Sequence, residues 1–485
     1  MNTKGSGNRM VRQYIGGKME DGWGKPMPVR NPATGEVIDI VGAATAAQAV
    51  EALEAAQRAF KTWSKTSITE RVSWLLRLRD ACLAEREKIL DVLSAESGRP
   101  YISACQDFDW MITSFTFYSE EIKRVYGTSF PDFDTQPGTA YHVVERRPIG
   151  VVVSHVAWNY PLGNAGLKIA PSVVSGCTCV LKPSSQTPLA TLRVAEIAEK
   201  IGFPAGVFNV VAGPSEEIGY ALNSSTIPKM ITLIGSSETG RRIMKDGAAS
   251  IKKYSMELGG NAPVIVMGDV DVDKVAKAIV AKKVGNAGQT CVCYNRIYIH
   301  ESIYGEMCER IIEHMKEVKI GMGRDPGFVM GPLINREARD KMIELIEDAV
   351  RGGAKLAAGG EIPKGYEAGN YLTPALLVDV NDTMRVSKEE IFGPIIPVQS
   401  FSNLDDALVK ANNTVYGLSA YFYGHNAREI CKAFEALEAG EIFVNGCGGG
   451  SQLPHAGCKQ SGVGCDSSHW SLEEYLDFHR ISMIP

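Results

Sequence analysis

The sequence predicts an α/β protein built on two doubly wound parallel sheets, with a β-ribbon arm added to them. Three observations carry that expectation. From Gly150 onward, β-branched runs alternate with helical stretches: Val151 to Val156, Thr178 to Leu181, Val207 to Val211 and Met230 to Ile234 are separated by segments such as Pro188 to Ile201 and Glu216 to Leu222. Buried strands joined by crossover helices make a parallel sheet covered on both faces. The alternation resumes after Pro263 with Val264 to Met267, Asp271 to Val284, Arg296 to His300 and a helix from Ser302, and it runs to about residue 455. A chain of 485 residues is too long for one ordinary core, so this second series is read as a second sheet. Thr128 to Pro148 has another character: Pro131 and Pro137 exclude helix, and Thr139 to Arg147 is extended and charged. Such a ribbon either covers the protein's own sheet or pairs with another subunit.

The remaining elements follow in chain order. Val11 to Gly17 reads as a strand ending in a turn, and Asn31-Pro32-Ala33-Thr34-Gly35 as a further turn. Thr45 and Gln48 form a capping-box signature for an Ala-rich helix with Val50, Leu53, Phe60 and Trp63 on its apolar stripe. Ser67 and Glu70 open a second helical region that Gly98 and Pro100 terminate, and a third helix spans Trp110 to Tyr126. Leu472 to Ile484 reads as a helix and then a strand.

Composition removes several function classes. Hydrophobic residues make up 45% of the chain and charged residues 22%, the balance of an ordinary globular protein. A net charge of −5 gives no reason to expect nucleic acid or an anionic membrane as partner. Met1 to Met10 has no apolar signal-peptide core, and no apolar run approaches a membrane span, so a cytoplasmic protein is expected. Eleven scattered cysteines in so large a chain fit reduced thiols. His455, Cys458 and Cys465 match no standard zinc spacing, and no metal is expected.

The residues that bear chemistry gather at the expected strand ends. Ligands of doubly wound sheets bind there. Trp158-Asn159, Lys182-Pro183-Ser184-Ser185, Gly213-Pro214 and the turn Gly235-Ser236-Ser237-Glu238-Thr239-Gly240 all follow a strand. Gly235-Ser236 offers amides and a hydroxyl to a pyrophosphate, although the full Rossmann Gly-x-Gly-x-x-Gly is absent. Further on, Glu257-Leu258-Gly259-Gly260-Asn261 precedes the helix-like run to Val284, and Gly285-Asn286-Ala287-Gly288-Gln289-Thr290-Cys291-Val292-Cys293 follows it. A lone cysteine is more often a small buried hydrophobe than a nucleophile. A cysteine in a Gly-rich polar turn, paired with a carboxylate beside two glycines, instead supplies the parts of a covalent thioester mechanism. Cys293 is read as a core residue, with a regulatory Cys291–Cys293 disulfide as the lesser alternative.

These segments, with Ala157-Trp158-Asn159-Tyr160-Pro161 and Glu390-Ile391-Phe392-Gly393-Pro394, resemble the NAD(P)-dependent aldehyde dehydrogenase superfamily over nearly the whole chain. The resemblance implies a dinucleotide-binding domain (1–125 and 149–258), a catalytic domain (259–459), and an oligomerisation arm and tail (126–148 and 460–485) of a homodimer or homotetramer. It makes Cys291 the nucleophile, Asn159 the oxyanion donor alongside the Cys291 backbone N–H, and Glu257 the base that activates water. It gives Lys182 to the adenosine ribose, Glu390 to the nicotinamide ribose and Phe392 to the nicotinamide, with Trp158, Ser184, Gly213, Gly235, Ser236 and Leu258 as further cofactor contacts. Position 185 often holds glutamate in NAD-preferring relatives. Ser185 removes that repulsion from a 2′-phosphate, so NADP is expected to be accepted or preferred over NAD.

For the substrate, the chain is similar to succinate-semialdehyde dehydrogenases, but Leu167 and Gly285 stand where that branch carries carboxylate-binding arginines. The tail Pro454-His455-Ala456-Gly457 is similar to lactaldehyde and aminoaldehyde branches. The expectation is oxidation of a small polar aldehyde to its acid, with Trp110, Asn164, Leu167, Gly285, Cys447 and His455 lining its pocket. The rivals are a succinate-semialdehyde enzyme, a CoA-acylating enzyme, which Glu257 disfavours, and a retired enzyme serving as a structural protein.

Overall fold

The computed structural model describes residues 10–132, 140–446 and 448–484. The first sheet is built around five parallel strands in the order Phe208–Val210, Thr178–Lys182, Val151–His155, Pro228–Ile234, Lys253–Glu257. Every residue of Val151–His155 and Thr178–Lys182 is buried, as strands covered on both faces must be. The order reverses between Val151–His155 and Pro228–Ile234. Connections leave these two strands toward opposite edges of the sheet, and a crevice opens between their carboxyl ends. The hairpin Gln13–Ile15/Lys18–Glu20 extends one edge antiparallel, and Gly462–Val463 closes the other beside Lys253–Glu257.

The second sheet has seven strands in the order Lys355–Gly359, Ala375–Val378, Ile395–Phe401, Tyr294–His300, Ala262–Val266, Ser419–Tyr423, Glu441–Val444. All neighbours are parallel except the first pair. Glu257, at the end of a first-sheet strand, is joined to Ala262, at the start of a second-sheet strand, by Leu258–Asn261 alone. The two sheets therefore meet at that linker.

The ribbon is a third, three-stranded antiparallel sheet: Thr128–Pro131, Tyr141–Pro148 and Leu476–Met483. Pro137 and residue 139 lie outside the described residues. The segment from 460 onward divides. Gly462–Val463 belongs to the first sheet, the helix Ser468–Glu474 follows, and Leu476–Met483 is the part that joins the ribbon. Among the described residues no helix is long and apolar enough to cross a membrane.

Local details depart from the sequence reading in instructive ways. Thr45 caps the helix Ala46–Trp63 by accepting from the Gln48 N–H at 3.4 Å. The Gln48 side chain does not complete the capping box: it donates to the Asp21 carbonyl and accepts from the Trp23 amide, tying the loop ahead of the helix. Leu53 and Trp63 are buried there as expected, together with Ala49, Ala52 and Ala56, whereas Phe60 is half-buried and Val50 is exposed. The second helical region is two helices, Ile68–Ala84 and Arg86–Ser97, and ends at Gly98 as expected; the third helix begins at Tyr101, well before Trp110, with Pro100 as its cap, and ends at Glu121, short of Tyr126.

Candidate active site

The crevice at the switch point has a volume of about 560 Å³. His155 to Trp158 form one wall, and Leu233 to Ser236 with Thr239 and Arg242 form another. Ser236 caps the helix Ser237–Asp246, accepting from the Thr239 amide, so an N-terminal helix end faces the crevice. Lys182 donates to Ser215 Oγ at 2.8 Å, and burial, with Arg242 nearby, lowers its ammonium to about 8. His155, the last residue of the central strand, is bonded through Nε2 to Asn223 Oδ1 at 2.7 Å. Burial pushes its imidazole down to about 4, so it is neutral at pH 7.

Of the expected cofactor residues, the crevice gathers Trp158, Lys182, Ser184, Gly235 and Ser236. The others lie outside its wall. Ser185 is half-buried in the next turn. Gly213 lies against Ala44, whose carbonyl oxygen would be 2.7 Å from a Cβ there, so close packing is what this glycine serves. Leu258 is buried against Gly240. Phe392 holds a left-handed φ of 54° and packs edge-on against Trp158 with ring centroids 5.4 Å apart. Glu390 accepts from the Gly260 amide at 2.9 Å, and burial raises its carboxyl to about 7.

Beyond Ile234, which belongs to both, lies a second cavity of about 340 Å³. Asn159, Glu257 and Cys291 all line it, as do Trp110, Asn164, Leu167, Gly285 and His455. One small molecule can touch Asn159, Glu257 and Cys291 at once. Cys447 lies outside the described residues.

Each of these side chains is held by an identifiable local cause. Cys291 follows the irregular turn after the helix Val272–Val284, where Asn286, Ala287 and Gly288 all take positive φ. Gly260 is required by that turn, since a Cβ at this position would sit 2.3 Å from the Cys291 carbonyl oxygen. Asn159 precedes the helix Pro161–Ser175, which Pro161 opens. Its side-chain amide donates to the Gln289 carbonyl at 3.1 Å and its Oδ1 accepts from Asn164 at 3.4 Å. Glu257 is buried, and neither carboxylate oxygen has a hydrogen-bond partner among the described residues. Burial raises its carboxyl well above the usual range; His455 opposes that rise and Asp466 adds to it. Cys291 and Cys293 are both free thiols, and Cys293 is buried with its Sγ directed at the Lys282 carbonyl.

Several residues that hold this site escaped the sequence reading. The buried Arg99 guanidinium donates to the Asn159 carbonyl, lies 4.8 Å from the Tyr160 ring and pairs with Asp107, which accepts from the Gly163 amide at 2.7 Å. Lys168 and Asp466 form a fully buried ion pair at 2.6 Å. Glu441 accepts from His455 Nδ1 at 2.7 Å. Their only sequence signal is a charge inside an otherwise apolar segment, clearest for Lys168 between Leu167 and Ile169. Among the described residues no cluster of three His, Cys, Asp or Glu side chains is arranged to hold a metal.

A crevice at a switch point, sharing Ile234 with a cavity that holds a loop thiol and a buried carboxylate, is the arrangement of an α/β enzyme site. The chain belongs to the Aldehyde dehydrogenase family, which it matches over residues 19–481, and so is an oxidoreductase acting on aldehydes. It is similar to a mitochondrial succinate-semialdehyde dehydrogenase of Arabidopsis thaliana, 38% identical, with 99% of this chain and 90% of that protein covered. It is also similar to the succinate-semialdehyde dehydrogenase [NADP(+)] GabD of Escherichia coli, 37% identical over 94% of this chain and 93% of that one. Among solved structures, an NADP-dependent enzyme of E. coli superposes with a TM-score of 0.95 at 36% identity, covering 98% of both chains.

Proposed function

We propose that the protein oxidises a small polar aldehyde to its free carboxylic acid through a thioester on Cys291, with NADP as the preferred cofactor. The observation that carries this is the meeting of Cys291, Asn159 and Glu257 in one cavity that shares Ile234 with the crevice. Cys291 Sγ attacks the aldehyde carbon, and the developing oxyanion is met by the second Asn159 amide hydrogen and the Cys291 backbone N–H. Glu257, whose burial favours proton uptake, takes a proton from the water that opens the thioester.

The residues present fit a dinucleotide. The helix end at Ser236 suits its pyrophosphate, Lys182 with Ser184 and Ser185 its adenosine ribose, and Glu390, Trp158 and Phe392 its nicotinamide half. When bound, the nicotinamide supplies the hydride acceptor.

A second reading, a succinate-semialdehyde-type substrate, is favoured by Lys282. It lies one helical turn before Gly285, lines the same cavity, and forms no ion pair among the described residues. An anionic substrate tail can find there the cation that Leu167 and Gly285 do not provide. The ribbon, with exposed Phe130, Tyr141, Phe478 and Met483, supports self-association as a homodimer or homotetramer, and a cytoplasmic location fits the reduced thiols.

The test is a panel of aldehydes, succinate semialdehyde among them, assayed separately with NAD and NADP. Free acid with a higher kcat/KM for NADP is expected. Acyl-CoA formation in the presence of CoA, or no cofactor reduction across the panel, overturns the proposal.

A further inference from the structure

Glu257 and His455 share the cavity with Cys291, with Glu441 behind the imidazole, and their hydrogen bonds divide the work between them. Glu257 makes no hydrogen bond to the sulfur. His455 does: its Nε2 lies 4.0 Å from Cys291 Sγ, at the outer edge of sulfur hydrogen bonding, and its Nδ1 lies 2.7 Å from Glu441 Oε1. An ionised carboxylate only accepts, so Nδ1 carries a hydrogen and Nε2 is left to face the thiol as an acceptor. The ring is anchored from behind. The His455 and Asp466 backbones exchange two hydrogen bonds of 2.8 Å, and Asp466 is clamped by Lys168. Cys291, His455 and Glu441 thus come from three separate segments and line up as nucleophile, imidazole and orienting carboxylate.

We infer that His455 is the proton acceptor for Cys291 and its counter-cation thereafter, with Glu441 as the residue that positions the ring. This rests on the proposed role of Cys291 as nucleophile. The Sγ–H bond breaks and an Nε2–H bond forms, giving a thiolate beside an imidazolium before any aldehyde binds. The proton stays on His455 through carbonyl attack and thioester formation. When water opens the thioester, its proton goes to Glu257 and the released thiolate again faces the imidazolium. Activation of the thiol and activation of water therefore fall to different residues.

The groups facing His455 favour its charged form. Burial alone would lower the imidazole, but the hydrogen bonds to Cys291 and to Glu441 on the edge strand, with the charge of Glu257 at the end of Lys253–Glu257, outweigh it and hold the imidazole well above its usual range. Asp466 adds negative charge, while its partner Lys168 and, across the cavity, Lys282 oppose it. Tyr421, in the adjoining wall, has its phenol raised by burial and is neutral at working pH.

The experiment measures iodoacetamide alkylation of Cys291 in the cofactor-free protein between pH 5.5 and 9.5, followed by peptide mass mapping with Cys291→Ser as blank. The wild-type rate should be close to its plateau by pH 7. In His455→Gln the rate at pH 7 should fall roughly tenfold and keep climbing to pH 9, because an unassisted thiol is only a few per cent ionised there. Glu441→Gln should show the same change at roughly threefold. A folded His455→Gln protein with the wild-type pH profile overturns the inference. Should His455→Gln fail to fold, an unchanged profile in Glu441→Gln does the same. A shifted profile in a protein that oxidises no aldehyde sinks the proposed function and leaves this inference standing. Aldehyde oxidation that Cys291→Ser abolishes, with an unshifted profile in His455→Gln, does the reverse.

Discussion

The crevice at the switch point and the cavity beside it share Ile234, yet they draw on the chain in different ways. The crevice is made by strand ends and the turns that directly follow them: His155 to Trp158, Lys182 to Ser184, and Leu233 to Ser236. Its cations, Lys182 and Arg242, form no ion pairs among the described residues and face a place where a phosphate-bearing ligand fits. The cavity is assembled from points far apart in the chain: Trp110, Asn159, Glu257, Cys291 and His455. Buried ion pairs hold it, Arg99 with Asp107 and Lys168 with Asp466. A site made of strand-end turns binds through groups left available. A site made of distant segments must first be held in register, and charge is buried to do so. The same substitution type should therefore act on affinity in one region and on catalysis or stability in the other.

The largest effect is expected at Glu257. Glu257→Gln should lower kcat by roughly 10² to 10⁴, the range of a lost general base, while a stoichiometric burst of cofactor reduction persists because acylation is intact. The same carboxyl gives a stability signature. Its folded-state proton affinity is raised by burial, so the native state holds the proton more tightly than the unfolded chain does. Stability from this group is thus lost as pH rises from the ordinary carboxylate range through the folded value. Glu257→Gln should flatten that loss in urea melts at pH 5 and pH 8. Steady turnover without a burst would remove Glu257 from the deacylation step.

Lys168→Met should come next. It leaves Asp466 buried without a partner, and breaking such a pair costs about 3–5 kcal/mol. The expected outcome is a lower urea midpoint with an unchanged m-value. Lys168→Met combined with Asp466→Leu should recover part of the loss. A single variant as stable as wild type would mean that the pair does not hold the cavity.

How much of this was legible in the sequence follows the same division. The parallel strands were readable because Val151–His155 and Thr178–Lys182 are apolar runs flanked by turn residues, and the crevice came with them. Cys291, Glu257 and Asn159 stood out in the sequence because each lies in or beside a turn that a glycine or proline marks, Gly260 and Pro161 above all. Glu441 was not. It opens an edge strand whose pattern looks like any other, and its partner His455 lies in a different segment. Arg99 follows Gly98 and precedes Pro100, so it reads as a residue of a helix-ending turn, and only the fold reveals that its guanidinium supports Asn159. The ribbon's outer faces were legible as extended chain, whereas the return of Gly462–Val463 to the first sheet depends on a strand too short to carry a pattern.

At Ser185 the effect should be on preference alone. Ser185→Glu places a carboxylate in the turn after Lys182, where it repels the roughly two negative charges of a 2′-phosphate. Screened by solvent, this repulsion should lower the NADP:NAD ratio of kcat/KM by roughly 50-fold, about 2.3 kcal/mol, with the urea midpoint unchanged. An unaltered ratio would take position 185 out of cofactor selection.

The smallest effect is a pH dependence at Lys182. Its ammonium is lowered to about 8 by burial and by Arg242, so the cation is present at pH 7 and largely gone at pH 9. For stability the sign runs opposite to that of Glu257. The folded chain holds this proton less tightly than the unfolded one, so stability is gained as pH rises from about 8 toward the ordinary lysine value. For binding, losing the cation removes one charge-assisted hydrogen bond, and KM for NADP should rise roughly five- to tenfold between pH 7 and pH 9. Lys182→Arg keeps its charge throughout and should flatten that rise. At pH 7, where lysine and arginine are both charged at this position, the variant should leave the urea midpoint near the wild-type value, in contrast to Lys168→Met. A wild-type KM that is flat across this pH range would mean that Lys182 does not touch the cofactor.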